Sequence, residues 1–500
     1  MTRMLEWLNA MVWGAPTLVL ILGVGLFLTI RLGAAQITLF PRALRQFAAR
    51  LRPEKGSMEG TSSFQALCTA LAATVGTGNL VGVAGAICLG GPGAIFWMWI
   101  GGLAGMATKY AEATLAVRYR VKGDSGWLGG PMYVMLGGLG ESCRPLARLY
   151  CLFGVIASFG VGNAAQVNAA ITGVNAVLSH FGREQSSALN FLMGIVLVLI
   201  LGPVLLGGAK RLGAAAERLV PLAAGGYILL CAGVLLLKSD QIPAAFSAIV
   251  TGAVSPRAVT GGVLGSAFQA LRVGCSRGVF TNEAGMGTAA IAHGSAQVSH
   301  PAEQGLMGIV EVFLDTIVIC TLTALVILVS GVPVPYGKDA GGRLTTQAFS
   351  AVYGEGAALA IAAALVLFAA ATVLGWSLYG IRCAVFLFGS EAGRKFLYIQ
   401  MAVLLLSSVL DTATVWLLSE AVNGLMAIPN LITLVALVPE LSRLTKEYKI
   451  SGALDAGGGN YADFHQRKPL RTFSYEKVPP SGSGSKKRGK ENLSSEHWPA

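Results

Sequence analysis

Long apolar runs recur along the chain, at Pro16–Ile30, Ala86–Ala107, Phe191–Leu206, Val220–Leu237, Val310–Val329, Ala357–Leu374 and Phe396–Leu410. Each, alone or with its flanks of small residues, approaches the roughly 20 residues that carry an α-helix across a bilayer. The pattern predicts an all-α integral membrane protein of about eleven transmembrane helices. The expected spans are 14–30, 61–89, 93–118, 149–178, 189–208, 215–238, 259–295, 305–330, 346–380, 395–412 and 413–438. The glycine-rich stretch Gly129–Gly140 is too short to cross and is expected along the cytoplasmic surface. After Pro439 apolar clusters cease, so 1–440 reads as the membrane domain and 441–500 as a disordered basic cytoplasmic tail.

Two stretches break the helical pattern where breaks are costly. The first, "ATVGTGNLVGV" (Ala73–Val83), holds Gly76, Gly78 and Gly82, and each interior glycine costs a helix about 1 kcal/mol relative to alanine. The second, Leu271–Gly294, is also glycine-rich and adds Arg272, Arg277, Asn282 and Glu283. Glycines also let helices pack closely, and that reading suits "GNLVG" by itself. Irregular backbone at membrane depth survives only inside protein or beside a cavity. A pair of interrupted spans, one in each half, therefore points to a secondary transporter with repeats and a midplane site. For Arg272, Arg277 and Glu283 the expected role is mutual pairing, since a lone buried ion is very costly.

Composition narrows the class. The chain is 54% apolar and 12% charged, against about 25% charged in soluble domains. Its net charge of +12 raises the question of nucleic acid, which the distribution answers. Basic residues fill alternate loops (Arg31–Lys55, Arg118–Arg148, Lys210–Arg211), whereas 179–188, 331–345 and 410–412 hold few. That bias places the amino terminus outside and the tail in the cytoplasm of a plasma membrane, the bacterial inner membrane being the expected one, with lipid and not nucleic acid as the partner. The first apolar run lacks the basic start and cleavage site of a signal peptide and reads as a span. Eight scattered cysteines without a CxxC pair suggest neither a disulfide framework nor a metal centre.

An enzyme is disfavoured. "GCSRG" (Gly274–Gly278) fits the nucleophile-elbow spacing but lies inside a span, and His293 has no matched acid. "GTGNLVG" has its third glycine one place late for a dinucleotide fingerprint. A channel or a binding-only sensor are the remaining rivals; two dissimilar breaks in one chain suit alternating access better. Polar residues in apolar spans are the candidates for contact. Asn79 would serve as a ligand or as a helix cap. Asn163 and Gln166 share a helical face in "GVGNAAQVN", which also holds Asn168, and Thr372 lies four residues before Trp376. Interhelical bonding is the alternative for the amides, and interfacial anchoring for Trp376. Asp315 and Glu420 are further acids in apolar runs.

Gly76–Glu112 ("GTGNLVGVAGAICLGGPGAIFWMWIGGLAGMATKYAE"), "GWLGGPMY", "TNEAGMGTAAIAHGSA", "FLDTIVICTLTAL" and Asn423–Ile432 ("NGLMAIPNLI") resemble the alanine/glycine:cation symporter family, in its usual order, over about residues 10–440. The resemblance implies the leucine-transporter fold: a 5+5 inverted repeat, here about 61–238 and 259–412, with one extra amino-terminal span. It implies import of a small neutral amino acid, alanine or glycine, coupled to sodium. It assigns substrate contact to Gly76, Thr77, Gly78, Asn79, Gln166 and Asn163, to Gly274 and Cys275 in a second unwound segment, to Thr372 and to Trp376 as a wall. Sodium would be held by the carbonyls of Ala72 and Val75 with the Thr372 hydroxyl. The family pattern expects two adjacent hydroxyl residues, but Ala371 stands at the first, and Glu420 stands where the family has Asp. Ala371 leaves proton-coupled or weakly coupled transport open. Stereochemistry, stoichiometry and oligomeric state are not fixed by the sequence.

Overall fold

The structure, a computed structural model, describes residues 11–51, 61–123, 126–180, 182, 186–255, 267–409 and 412–456. Helix α1 (Ala15–Arg31) opens with proline in its first turn, and the short amphipathic α2 (Phe40–Arg50) follows it. Helix α3 (Ser63–Thr74) is capped by Ser62, whose Oγ accepts the Gln65 N–H at 3.0 Å. It stops at Val75. A π-helical turn over Gly78–Gly82 then leads into α4 (Val83–Gly90), and the two halves meet at 50°. Gly91, at φ +73°, turns the chain into α5 (Gly93–Arg118). A two-stranded hairpin, β1 (Val121–Gly123) with β2 (Gly126–Leu128), precedes α6 (Pro131–Leu139) and α7 (Arg144–Phe159).

A second π turn, Gly160–Ala164, joins α7 to α8 (Ala165–His180). Then come α9 (Ser187–Leu205), α10 (Gly208–Leu237) and α11 (Ile242–Val254). The second half holds α12 (Ala267–Asn282), α13 (Thr288–His293) and α14 (Pro301–Val312), which passes through a π stretch (Phe313–Cys320) into α15 (Thr321–Val329). The remainder is α16 (Gly342–Tyr353), α17 (Ala357–Phe388), α18 (Ser390–Ser407), α19 (Thr412–Ala436) and α20 (Val438–Ala456). Among the described residues, five helices are long and apolar enough to cross a membrane, or seven if each of two bent pairs counts as one span. Helix α5 is the centre of the packing, with α12 and α14 against it.

Three expectations change. The span expected at 346–380 is two helices, because Gly354 at φ +80° ends α16 in the left-handed conformation that favours glycine. Helix α11 was not expected; the glycines Gly93 and Gly252 let its backbone touch that of α5. The expected tail boundary at 441 is also corrected, since α20 runs to Ala456. It buries Leu441, Leu444 and Tyr448, Glu440 pairs with Arg118 at 2.8 Å, and Lys449 donates to the Leu32 carbonyl at 3.2 Å. Apolar positions three and four apart therefore gave it a face to bury. Residues 457–500 and the Glu420 side chain lie outside the described residues.

One end of the molecule is covered over α4. Thr345 of α16 donates to the Leu80 carbonyl at 2.9 Å, the Gly337 N–H reaches the Cys88 carbonyl at 2.9 Å, and Asp339 faces Arg277 at 3.7 Å. The other end, where α3 begins, holds a cavity of about 630 Å³ between α3, the hairpin, α10 and α17.

Candidate functional site

The first break is held open by its own sequence. The Gly76 N–H donates to Asn79 Oδ1 at 2.9 Å, and the Asn79 N–H donates to the Gly76 carbonyl at 3.2 Å. Both N–H groups are thereby turned away from α3, so the carbonyls of Ala72 and Val75 lose the donors that a continuous helix would supply. Gly76 lies so close to α17 that a Cβ there would stand 2.5 Å from Thr372 Oγ1. The Thr372 hydroxyl itself donates to the Phe368 carbonyl at 3.0 Å. Thr77 Oγ1 donates to Gln166 Oε1 at 2.8 Å, and Gln166 Nε2 donates to the Val161 carbonyl at 3.0 Å. Gly76, Thr77, Gln166 and Thr372 thus form one buried polar cluster drawn from the break after α3, from α8 and from α17. Gly78 faces α12, 3.5 Å from Thr281 Cγ2 if it carried a Cβ.

The second break lies further along than expected. Helix α12 is continuous through Gly274 and Cys275. Those residues serve packing: a Cβ on Gly274 would strike the Ala94 carbonyl of α5, and the Cys275 thiol contacts the Trp97 carbonyl at 3.7 Å. The unwound segment is instead Glu283–Gly287, with φ of +53° at Glu283, +94° at Gly285 and +75° at Gly287. Glu112 of α5 holds it, because its Oε1 accepts the N–H groups of Gly285 (2.9 Å) and Gly287 (3.1 Å) and Asn430 Nδ2 (2.8 Å). Asn430 of α19 also donates to the Gly285 carbonyl at 2.8 Å.

Glu283 does not pair with the arginines as expected. Arg277 stands opposite Asp339, while Glu283 accepts Trp376 Nε1 at 3.0 Å and the Thr288 hydroxyl at 2.5 Å. Trp376 is fully buried, between this carboxylate, Tyr379 and the backbone at Gly162, where no Cβ would fit. That position is no interfacial anchor. Asn163 points to α18, donating to the Gln400 carbonyl at 2.8 Å, and Asn168 bonds within its own helix to the Ala164 carbonyl.

A chain of hydrogen bonds joins the two breaks. Asn79 Nδ2 donates to Asp315 Oδ1 (2.7 Å), Thr316 Oγ1 donates to Asp315 Oδ2 (2.8 Å), Asn282 Nδ2 donates to Thr316 Oγ1 (3.0 Å), and the Ala284 N–H donates to Asn282 Oδ1 (3.0 Å). Asp315 sits in the π stretch after α14, a local widening that often marks functional positions. Beside it lies a buried ion network. Lys109 of α5 meets Glu311 of α14 at 3.0 Å, His293 Nε2 lies 2.9 Å from the other Glu311 oxygen, and Gln304 links His293 (2.7 Å) to the Ser63 hydroxyl (2.5 Å). Sequence reasoning passed over Lys109, Glu112 and Glu311. Their signal was available, since charged residues inside apolar spans are functional candidates by default. Among the described residues no cluster of His, Cys, Asp and Glu is arranged to ligate a metal. Oxygen ligands for an alkali cation would have to come from carbonyls and hydroxyls of the kind gathered at the first break.

The comparisons agree with one another. A model of the sodium:alanine symporter family matches residues 1–456. The sodium/alanine symporter AgcS of Methanococcus maripaludis is 42% identical over 445 residues, covering 88% of this chain and 95% of that protein. The probable sodium/glutamine symporter GlnT of Bacillus subtilis is 36% identical over 448 residues, covering 88% and 89%. Among solved structures, MhsT in complex with L-phenylalanine superposes with a TM-score of 0.51 at 15% identity, over 74% of this chain and 89% of that one. This last likeness concerns the fold alone, which is that of the leucine-transporter class.

Proposed function

The chain belongs to the sodium:alanine symporter family, and we propose that it imports a small neutral amino acid, alanine or glycine, driven by sodium. It is a multi-pass membrane transporter of amino acids and not an enzyme. In this reading the repeats are about 61–238 and 259–412 within about eleven spans. The amino terminus is outside, and the end that carries the 630 Å³ cavity faces the cytoplasm. Transport proceeds by rocking one helix bundle against the rest around the paired breaks.

The observation that carries the reading is the open backbone beside α17, where Gly76 stands against the Thr372 hydroxyl and its N–H is withdrawn from α3. The substrate carboxylate would meet the N–H groups of Thr77 and Gly78, at the positive end of the half-helix that begins there. Asn79 and Gln166 would order this shell, and Trp376, one turn beyond Thr372, would close it from below. Sodium would take the Ala72 and Val75 carbonyls with the Thr372 hydroxyl. Gly274 and Cys275 pack against α5, Asn163 bonds to α18 and Asn168 bonds to the Ala164 carbonyl, so none of the four is proposed to touch the substrate; the second break contributes through Glu283–Gly287.

Ala371 keeps a second ion in play, because it removes a hydroxyl that a sodium shell would use. One experiment separates these cases. Labelled alanine uptake is measured in proteoliposomes with sodium, lithium or protons as the sole gradient. Accumulation with sodium alone is the expected result. Accumulation with protons alone assigns coupling to the proton, and flux that never exceeds equilibrium under any gradient removes the symport reading.

A further inference from the structure

The 630 Å³ cavity is lined by cations that nothing in the transport cluster uses. Lys122 comes from β1, Lys210 from α10 and Arg382 from α17. Among the described lining residues there is no carboxylate, and none of these three cations makes a hydrogen bond or ion pair with a described residue. Glu217, one turn after the lining Gly213 on α10, accepts Gln65 Nε2 at 3.4 Å. The bias toward basic loops on one side of a membrane explains lysines at the rim. It does not explain Arg382, six residues past the buried Trp376 on an otherwise apolar helix. A guanidinium so placed needs an acceptor or a water-filled space. Gln65 and Thr69 of α3 and Gln297 supply uncharged hydrogen-bonding groups around it.

Helices α3 and α17 form the cavity wall and also hold the first break. Between the break and the cavity the two helices pack closely, and a Cβ on Gly375 would stand 2.7 Å from the Ala73 nitrogen. Thr69 and Leu378 lie about one turn below that contact, and Gly76 and Thr372 about one turn above it. On the transport reading, an amino acid released from the break along these helices would meet the cationic cavity next.

We propose that the cavity is a second, weaker station for the amino-acid carboxylate. Arg382 is its fork-shaped ligand, and Lys210 and Lys122 are its rim. The proposal rests on the transport reading. A guanidinium pairs both carboxylate oxygens at once, whereas the two exposed ammonium groups act mainly by raising the local anion concentration. Occupancy from the cytoplasm would oppose release from the break, so internal amino acid would slow further import.

The test uses the full-length protein in phosphatidylcholine vesicles. Labelling of Lys210 by an amine-reactive reagent is followed by mass spectrometry. Acetate should slow it several-fold, and alanine should slow it several-fold beyond ethylamine, which shares the reagent-consuming amine but lacks the carboxylate. In parallel, alanine half-saturation is measured from each face. The ratio of cavity-side to opposite-side values should rise several-fold in Arg382→Gln and return toward wild type in Arg382→Lys. Labelling that is indifferent to acetate overturns the station. So does labelling already slowed by phosphatidylglycerol vesicles, with no added effect of alanine, since the cavity would then hold a lipid headgroup. Protection by acetate in a protein that moves no alanine keeps the carboxylate site and removes the transport reading.

Discussion

Gly76 and Gly78 stand two residues apart in the first break, yet they are glycines for different reasons. At Gly76 the Thr372 hydroxyl occupies the space of a side chain, 2.5 Å from the ideal Cβ. At Gly78 the nearest atom, Thr281 Cγ2, is 3.5 Å away, an ordinary contact. A Cβ at Gly78 therefore meets only ordinary contacts, and a substitution there reports on the site. Gly78→Val is expected to lower alanine uptake at least about 10-fold, the loss of about 1.4 kcal/mol of binding, with the melting temperature nearly unchanged. Normal uptake by that variant would remove the carboxylate from this position. Ala371 offers the complementary gain. Ala371→Ser restores a hydroxyl beside Thr372 and should lower the sodium concentration that gives half-maximal uptake; an unchanged value would mean that no ion is bound there. These residues were legible because they are polar or glycine inside apolar spans. Glu112 and Lys109 carry the same mark and were overlooked among the small residues of α5.

At the scale of elements, the sequence located both interrupted spans but not the second point of interruption. The glycines of Leu271–Gly294 look alike in sequence. Gly274 and Gly278 pack against α5, whereas Gly285 and Gly287 unwind. What distinguishes them is a partner far along the chain, the Glu112 carboxylate that accepts the N–H groups of Gly285 and Gly287. Local propensity holds no record of such a partner. The same limit explains α16 and α17, read as one span until Gly354 is seen in a left-handed turn. The contact of α3 with α17 gives an element-scale prediction. A side chain at Gly375 must displace the α3 backbone at Ala73, 2.7 Å from its Cβ. Gly375→Val should wedge the two helices apart. A cysteine introduced as Thr69→Cys, facing the cavity, should then react faster with a thiol reagent by several-fold, and equal rates in both backgrounds would show that this contact does not seal the site.

Across the whole molecule, the two halves are joined through Asp315, which accepts Asn79 from the first break and, through Thr316, connects to Asn282 at the second. Asp315→Ala leaves Thr316 Oγ1 without its acceptor and takes from Asn79 Nδ2 its shortest partner, leaving it the Asp315 carbonyl and Cys320 Sγ, both at 3.3 Å. Each such loss costs about 1–3 kcal/mol, so a clearly lower melting temperature is expected, together with loss of sodium-stimulated uptake. Thr316→Val, which spares the Asn79 bond, should cost less. If both variants transport as wild type does, the bridge has no part in coupling the breaks. The ion network around Glu311 works at the same scale, drawing α5, α13, α14 and the start of α3 to one carboxylate.

Asn430 lies on α19, beyond the proposed second repeat, yet its amide closes the ring of donors on Glu112 and also grips the Gly285 carbonyl. The last long helices are thus no appendage to a ten-helix engine. A shortened protein that ends with the second repeat would still hold every residue proposed to touch cargo, and would lack the clasp that keeps one of its two hinges in shape.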